Sequence, residues 1–414
     1  MSAKHLALLA LAALSAACRG ETPAPAEPGP EPLPPPRSEV DARLVQAYTG
    51  FGLRLFERLA AEKPRENVVL APASVAFALA MTYHGAAGET QAAMARTLEL
   101  GGMTSAEVAG ANAAWRALLT SPDPKVELAI ANSLWAREGV PFLSSFLQLN
   151  REHYGAEITT LDFSRPEAAQ TINAWVSRAT KGRIPEIVPR QIDPQTVMFL
   201  INAIYFNGTW TNPFDRKLTR DGDWRRPDGR VKRHPMMSRT GEYRVLDGDG
   251  FTAVNLPYGS GRLGLYLFLP DAGSDLKAFY ARLRAEDWER WMGGFRQQRI
   301  MLSLPRFRVE FEQSLNEALK AMGMAVAFDA QRADLGGMLP REFLQANNAY
   351  ITDVKHKTFM VVNEEGTEAA GATSVEIGIV SAPPAVVFDR PFFLALRDNQ
   401  TGTLLFVGQI VDPQ

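Results

Sequence analysis

The sequence predicts a globular α+β protein whose folded part runs from Glu39 to Gln414. With 46% hydrophobic and 22% charged residues, the chain can bury a large core. No Pro/Gly/Ser-rich linker interrupts these 376 residues, although their number alone would suggest two domains. The α+β assignment depends on six short motifs within this stretch and on one segment near its end that alternates like a strand.

The first residues predict export from the cell. Lys4 and His5 precede an Ala/Leu run at residues 6–14, which is followed by small residues as in a signal peptide. The apolar run is too short to form a stable membrane-spanning helix. We therefore expect residues 1–18 to be a signal peptide that ends at a cysteine.

Cys18 is the only cysteine of the chain and lies in the motif L-S-A-A-C. This motif resembles a bacterial lipoprotein processing site, except that Ser15 stands where an aliphatic residue is usual. A lone cysteine in an exported protein otherwise lacks a partner, which favours lipidation of Cys18 and attachment to the outer membrane or cell surface. Cleavage after Ala17 by an ordinary signal peptidase, with secretion to the extracellular space, is the alternative.

Residues 19–38 are dominated by proline, with Ala, Glu and Gly between. Such a segment cannot bury apolar surface, so we expect a disordered tether of roughly 60 Å at about 3.1 Å per residue in polyproline geometry. A Pro-rich ligand for a recognition domain, with Arg37 as its basic anchor, is the alternative.

The chain carries no recognisable motif of an enzyme, a metal site or a cofactor site. Its five histidines show no metal-ligand spacing such as H-E-x-x-H, and neither G-x-S-x-G nor G-x-x-x-x-G-K occurs. The formal charge of −2 argues against nucleic-acid binding. We expect no metal and no cofactor, while a hydrolase built from dispersed residues stays open.

A segment near the C-terminus, residues 364–384, combines the pattern of a strand with the composition of a loop. Alternate residues between 367 and 377 are uncharged and small or aliphatic, and the carboxylates Glu368 and Glu376 fall on the other set. This period of two predicts a strand with one face that can be buried. The small residues 369–373 are poor strand formers, so an ordinary surface loop is the alternative.

The same segment resembles the reactive-centre loop of the serpins, a family of serine protease inhibitors. The motif E-E-G-T-E-A-A-G at residues 364–371 is similar to the family's hinge, and F-D-R-P-F at 388–392 follows at the family's spacing. This register implies a scissile bond between Val380 and Ser381. The hinge residues that the resemblance assigns are Glu364, Glu365, Gly366, Thr367, Glu368, Ala369, Ala370, Gly371, Ala372 and Thr373.

Six motifs resemble serpin segments in the family's order, and together they imply the serpin fold. That fold has three β-sheets, about nine helices and an exposed loop, here residues 364–384, in one domain at 39–414. The motifs are N-V-V-L-A-P-A-S-V (67–75) for the helix that opens the core, G-A-A-G-E-T (85–90), I-N-A-W-V with T-K-G-R-I (172–184) for the helix across the main sheet, N-A-I-Y-F-N-G-T-W (202–210) for a central strand, L-P-R-F (304–307) for a strand of the same sheet, and A-Y-I-T-D-V-K-H-K (349–357).

The resemblance implies that the protein is a suicide substrate rather than an enzyme. A target serine protease would attack Val380 and form a covalent acyl complex, and the cleaved loop would then insert into the main sheet as an added strand. Because Val380 is small and aliphatic, an elastase-like protease is the expected partner. A non-inhibitory serpin that acts as a binding protein is the alternative, and the intact hinge argues against it.

The resemblance also assigns a polar cluster beneath the main sheet, the shutter, to Ser74, Asn202 and His356. In the family this cluster holds the central strands together until the loop arrives. Ala71 stands where serpins usually have a serine. The missing hydroxyl predicts a loosely closed sheet.

A second cluster, the breach, is assigned to Trp210, Arg306 and Glu364, at the point where the loop first enters the sheet. We predict an ion pair between Arg306 and Glu364. No basic cluster occurs at residues 111–135, where some serpins carry a heparin-binding helix. We therefore expect no heparin site. We also expect the protein to be a monomer.

Overall fold

The computed structural model describes residues 40–119, 123–367 and 383–414. The predicted signal peptide with Cys18, the tether, and loop residues 368–382 with Val380 and Ser381 lie outside these ranges. The described part contains ten α-helices and fifteen strands in three hydrogen-bonded sheets, which confirms the predicted α+β fold. The ten helices of the described part agree with the expected number of about nine.

The helix ends follow from local sequence. Asp41 caps the first helix by accepting a hydrogen bond from the Arg43 N–H at 2.9 Å, and Gly155 ends the fifth in the left-handed region. None of the described helices is both long and apolar enough to cross a membrane. The helices are α1 (Ala42–Glu62), α2 (Pro72–Tyr83), α3 (Gly88–Thr97), α4 (Ser105–Leu119), α5 (Ser144–Tyr154), α6 (Pro166–Ala179), α7 (Leu276–Tyr280), α8 (Ala285–Gly294), α9 (Asn316–Leu319) and α10 (Arg341–Ala346).

The strands vary from two residues to eighteen. They are β1 (Val68–Leu70), β2 (Val126–Arg137), β3 (Glu157–Leu161), β4 (Met198–Thr209), β5 (Arg220–Arg225), β6 (Val231–Gly248), β7 (Phe251–Tyr258), β8 (Leu263–Pro270), β9 (Arg296–Pro305), β10 (Phe307–Ser314), β11 (Lys355–Val362), β12 (Gly366–Thr367), β13 (Ala385–Val387), β14 (Phe392–Asp398) and β15 (Leu404–Ile410).

The largest sheet has nine strands in the order β1-β15-β14-β8-β7-β6-β9-β13, with β5 paired to β6. Its central strands β8, β14 and β15 are buried along their whole length. Their sequences are accordingly near-continuous apolar runs rather than alternating ones. The main hydrophobic core lies against this sheet and includes residues of α1 and α2.

The sheet predicted to accept the loop is divided into two hydrogen-bonded units, one with the order β12-β4-β2-β3 and the other formed by β10 and β11. β4 is antiparallel to β2 along eleven residue pairs. Helix α6 packs across this unit, where Ile172 and Val176 form a second core with Ile201 and Ala203. The opposite face of β4 contributes Ile204 and Phe206 to the main core.

Two motif predictions need correction. The strand predicted at residues 304–307 is a junction, because Leu304 belongs to β9 and Phe307 begins β10. β10 pairs with β11, so within the described residues the two strands predicted to share one sheet, β4 and β10, lie in separate hydrogen-bonded units. The helix predicted at residues 67–75 starts only at Pro72, because the β-branched residues before it form β1.

Candidate functional site

A cleft of about 1170 Å³ lies between the first half of β4, residues 198–202, and the start of β11 with the segment that precedes it, residues 347–356. In the described part of the chain, β11 pairs only with β10, and the edge of β4 away from β2 pairs only with the two residues of β12. Strand edges with unpaired N–H and C=O groups readily accept another strand. The cleft therefore has the character of a site for an added strand.

Ser74 on α2 and Asn202 on β4 meet at the wall of this cleft, where the serine hydroxyl donates to the Asn202 Oδ1. Asn202 Nδ2 donates in turn to the Oδ1 of Asn132 on β2 at 2.5 Å. Asn132 Nδ2 donates to the carbonyl of Tyr154 at 2.7 Å. Ser74 and Asn132 are both buried, and these bonds satisfy groups that would otherwise be costly to desolvate.

Sequence reasoning missed Asn132. A signal for it existed, because Asn132 and Ser133 interrupt the apolar stretch at residues 128–136 of β2. A polar side chain within such a run needs a buried partner.

His356 lies on the β11 side of the same cleft, and its Nε2 accepts a hydrogen bond from the Ala71 N–H at 3.0 Å. Burial lowers the pKa of His356 to about 3, so the ring is neutral at pH 7 and Nε2 is free to accept. We expected Ser74, Asn202 and His356 to hold the central strands together. Within the described residues His356 instead ties β11 to the start of α2 and has no hydrogen bond to the other two.

Ala71 is the residue that precedes α2, and it provides no side-chain cap for that helix. A serine hydroxyl at this position would be placed to accept from the first turn of the helix. The departure noted in the sequence thus removes a cap as well as a member of the polar cluster.

At the other end of β4, the turn Asn363–Gly366 leads from β11 into β12. The Asn363 N–H donates to the Gly366 carbonyl at 3.0 Å. Gly366 has φ 140°, and a Cβ at this position would clash with the carbonyl oxygen of Gly208. Only glycine meets both conditions, which accounts for the glycine at the base of the predicted loop.

Glu364 is 2% exposed in this turn and has the two partners that its carboxylate needs. Its Oε1 accepts from the Thr219 hydroxyl at 2.7 Å, and its Oε2 lies 3.5 Å from Arg306 Nε. The structure therefore contains the predicted ion pair. The Glu364 backbone is also held, since its carbonyl accepts from the Phe214 N–H at 2.8 Å.

Trp210 holds the same turn against the end of β4. Its Nε1 donates to the Asn363 carbonyl at 2.9 Å, and its backbone N–H donates to the Glu365 carbonyl at 2.9 Å. The indole is buried and stacks on Tyr258 with a centroid distance of 4.2 Å. The structure thus brings together all three residues assigned to the breach.

A further ion pair at the turn was not predicted. The buried carboxylate of Glu365 lies 2.7 Å from Arg216, which belongs to the short 3₁₀ turn Arg216–Leu218. No local sequence pattern indicates this contact, because it forms only when the two segments meet in the fold.

Of the ten predicted hinge residues, the structure describes Glu364, Glu365, Gly366 and Thr367, and the remainder lie outside the described ranges. β12 places Gly366 opposite Thr209 and Thr367 opposite Gly208 on β4. The first two residues after the turn are therefore already paired as a strand. Within the described ranges no group of three or more His, Cys, Asp or Glu residues could hold a metal ion.

Residues 46–413 match the family model described as Serpin (serine protease inhibitor). Over 378 residues the chain is 34% identical to an uncharacterized serpin-like protein of Thermococcus kodakarensis, covering 90% of this chain and 86% of that one. Over 384 residues it is 31% identical to the leukocyte elastase inhibitor of Homo sapiens, covering 90% of this chain and 100% of that one.

Solved structures give the same result. The crystal structure of the thermophilic serpin tengpin in the native state superposes with a TM-score of 0.81 at 29% identity, covering 91% of this chain and 96% of that one. A thyroxine-binding globulin complex with thyroxine superposes with a TM-score of 0.79 at 26% identity, covering 89% and 99%.

The buried neutral state of His356 predicts a pH dependence of stability. Because the pKa of His356 is lowered to about 3, the unfolded chain gains a proton below its ordinary pKa of about 6.5 that the folded chain does not gain until near 3. Stability should therefore be full above pH 6.5 and should fall by about 2 kcal/mol at pH 5 from this residue alone.

Urea unfolding at pH 7 and pH 5 measures this effect in the wild type and in His356→Gln, which cannot titrate. The variant should lose about 2 kcal/mol less between the two pH values. An identical pH dependence in the wild type and His356→Gln would contradict the assignment.

Proposed function

The chain belongs to the serpin family, and from that premise we propose that it inhibits a serine endopeptidase as a suicide substrate. The bond between Val380 and Ser381 is the bait, and the cleft between β4 and β11 receives the cleaved loop. The observation that carries this proposal is the register of β12, because that register specifies how the rest of the loop would continue.

Continuing the antiparallel register moves one residue back on β4 for each residue forward on the loop. From Thr367 opposite Gly208, this places Thr373 opposite Asn202 and Ile377 opposite Met198, the first residue of β4. The loop would thus pair with β4 along its full length and pass the wall formed by Asn202. Its other edge would face β11, so that both free strand edges of the cleft gain partners.

The same register decides which side of the loop is buried. Directly opposed residues of an antiparallel pair share a face, so Ala369 falls with Phe206 and Gly371 with Ile204. Both β4 residues pack into the main core. On this register the uncharged alternate set seen in the sequence would meet the core, and Glu368 and Glu376 would fall on the opposite face.

The chemistry of trapping uses the protease's own groups. The protease serine attacks the Val380 carbonyl, an ester forms, and the peptide bond to Ser381 breaks as its nitrogen takes a proton from the protease histidine. Residues 366–380 are then free to enter the cleft and carry the protease about 45 Å at roughly 3.3 Å per residue. The distorted protease no longer hydrolyses the ester. The added strand supplies the free energy that drives this step.

The bait residue favours an elastase-like protease. Val380 is small and aliphatic, which suits neither a pocket that requires Arg or Lys nor one that prefers large aromatic side chains. The similarity to a protein named leukocyte elastase inhibitor supports elastase as the first protease to try.

We also propose that the protein is a monomer exported to the cell surface. Lipidation of Cys18 would anchor it, and residues 19–38 would hold the serpin domain away from the membrane. Metabolic labelling with a radioactive fatty acid tests this, because Cys18→Ser should abolish labelling. Secretion of an unlabelled wild-type protein would favour ordinary signal-peptide cleavage after Ala17.

Inhibition is tested directly by mixing the protein with pancreatic elastase and separating the products on a denaturing gel. We expect an SDS-stable complex at the summed mass, with trypsin as a matched protease that gives little complex. A Val380→Arg variant should exchange the two outcomes, since it changes only the bait. Cleavage without any complex would favour the non-inhibitory alternative, in which the protein binds a ligand as thyroxine-binding globulin binds thyroxine.

Because Ala369 and Ala370 are assigned to opposite faces of the inserted loop, replacing each of them with glutamate should give different results. Ala369→Glu places a carboxylate opposite Phe206 in the core, whereas Ala370→Glu places it opposite Tyr205, whose ring has Lys181 5.7 Å from its centroid. An unpaired buried carboxylate opposes insertion, so the stoichiometry of inhibition should rise by about tenfold or more for Ala369→Glu only. Equal values for the two variants would contradict the register.

A further inference from the structure

We propose that Arg216 is a positioning residue for loop insertion, acting through the buried carboxylate of Glu365. The proposal rests on the proposed function and concerns the step that precedes insertion. It assigns to Arg216 the task of keeping the turn Asn363–Gly366 in the one position from which the loop enters in the correct register.

Two consecutive carboxylates lie in this turn, and both are nearly inaccessible to water. Glu364 is 2% exposed and Glu365 is 6% exposed. Burial of a carboxylate is tolerated only with a charged or hydrogen-bonding partner. Glu364 has Thr219 and Arg306, whereas the cation beside Glu365 is Arg216 at 2.7 Å.

Arg216 reaches Glu365 because the segment Trp210–Thr219 lies across the turn Asn363–Gly366 and is hydrogen-bonded to it. Its backbone donates at two points, from Trp210 to the Glu365 carbonyl and from Phe214 to the Glu364 carbonyl. Asp215 caps the short 3₁₀ turn that follows by accepting from the Lys217 N–H at 2.8 Å. This cap fixes the backbone that carries Arg216.

The position of the turn determines the face of every later loop residue. A shift of one residue in strand pairing moves each side chain to the opposite face. Such a shift would place Glu368 and Glu376 toward the core and would remove Ala369 and Gly371 from it. Holding Glu365 in place is therefore a condition for productive insertion and not only for local stability.

The ion pair between Arg216 and Glu365 is open to water on the arginine side, so its contribution to holding the turn depends on salt concentration. The Arg216 side chain is 66% exposed, while that of Glu365 is 8% exposed. Salt screens the exposed partner, but the buried carboxylate keeps its need for a cation. Loss of Arg216 should consequently weaken the hold on the turn more than the loss of an ordinary surface charge.

The test compares Arg216→Ala, Arg216→Lys and the matched control Lys217→Ala. Lys217 is exposed and carries no ion pair within the described part of the chain. The stoichiometry of inhibition with elastase should rise about fivefold for Arg216→Ala, return toward the wild-type value for Arg216→Lys, and stay unchanged for Lys217→Ala. The second-order rate of loop cleavage should stay unchanged in all three, because the bait is not altered.

A second measurement separates this inference from the proposed function. Thermolysin, a metalloprotease that forms no acyl-enzyme, is used to cut the loop, and the rise in Tm then reports insertion without inhibition. A slower rise in Arg216→Ala than in Lys217→Ala supports the positioning role. If the wild-type protein forms no complex and its Tm does not rise after cleavage, the proposed function is refuted. If Arg216→Ala inserts its loop as fast as the wild type and has the same stoichiometry of inhibition, only this inference is refuted. A lowered Tm of uncut Arg216→Ala with unchanged stoichiometry would make Arg216 merely structural, which also refutes it.

Discussion

The constraint behind this structure is that backbone N–H and C=O groups shielded from water require hydrogen-bond partners. β4 and β11 each present a free edge to the same cleft in the described part of the chain, and a further strand is what both edges can accept. β12 already occupies the first two positions of that strand. The turn at Asn363–Gly366 leads directly into these two positions, and Arg306 and Arg216 lie beside its two buried carboxylates.

The walls of the cleft are tied to their surroundings more firmly than to each other. Asn202 connects β4 to β2 and α2 through Asn132 and Ser74, whereas His356 connects β11 to the start of α2. Both sets of hydrogen bonds end on α2 or on the residue before it, and neither set joins β4 directly to β11.

The sequence alone was enough to predict the α+β fold and the pairing of Arg306 with Glu364. Both predictions came from motifs that resemble those of a known family, whereas the alternation at residues 367–377 stays a prediction, because residues 368–382 lie outside the described ranges. The pairing of Arg216 with Glu365 could not be predicted, because it depends on a long-range fold of one segment over another. The division of the main sheet was also missed, since the motif at residues 304–307 does not reveal that β10 pairs, within the described residues, only with β11.

The proposed mechanism requires that the cleaved loop fill the cleft in the register set by β12. A crystal structure of the protein after cleavage at Val380 tests this directly. We expect a continuous strand between β4 and β11, with Thr373 opposite Asn202 and Ala369 facing the core beside Phe206. A cleft that stays open after cleavage, or a strand shifted by one residue, would contradict it.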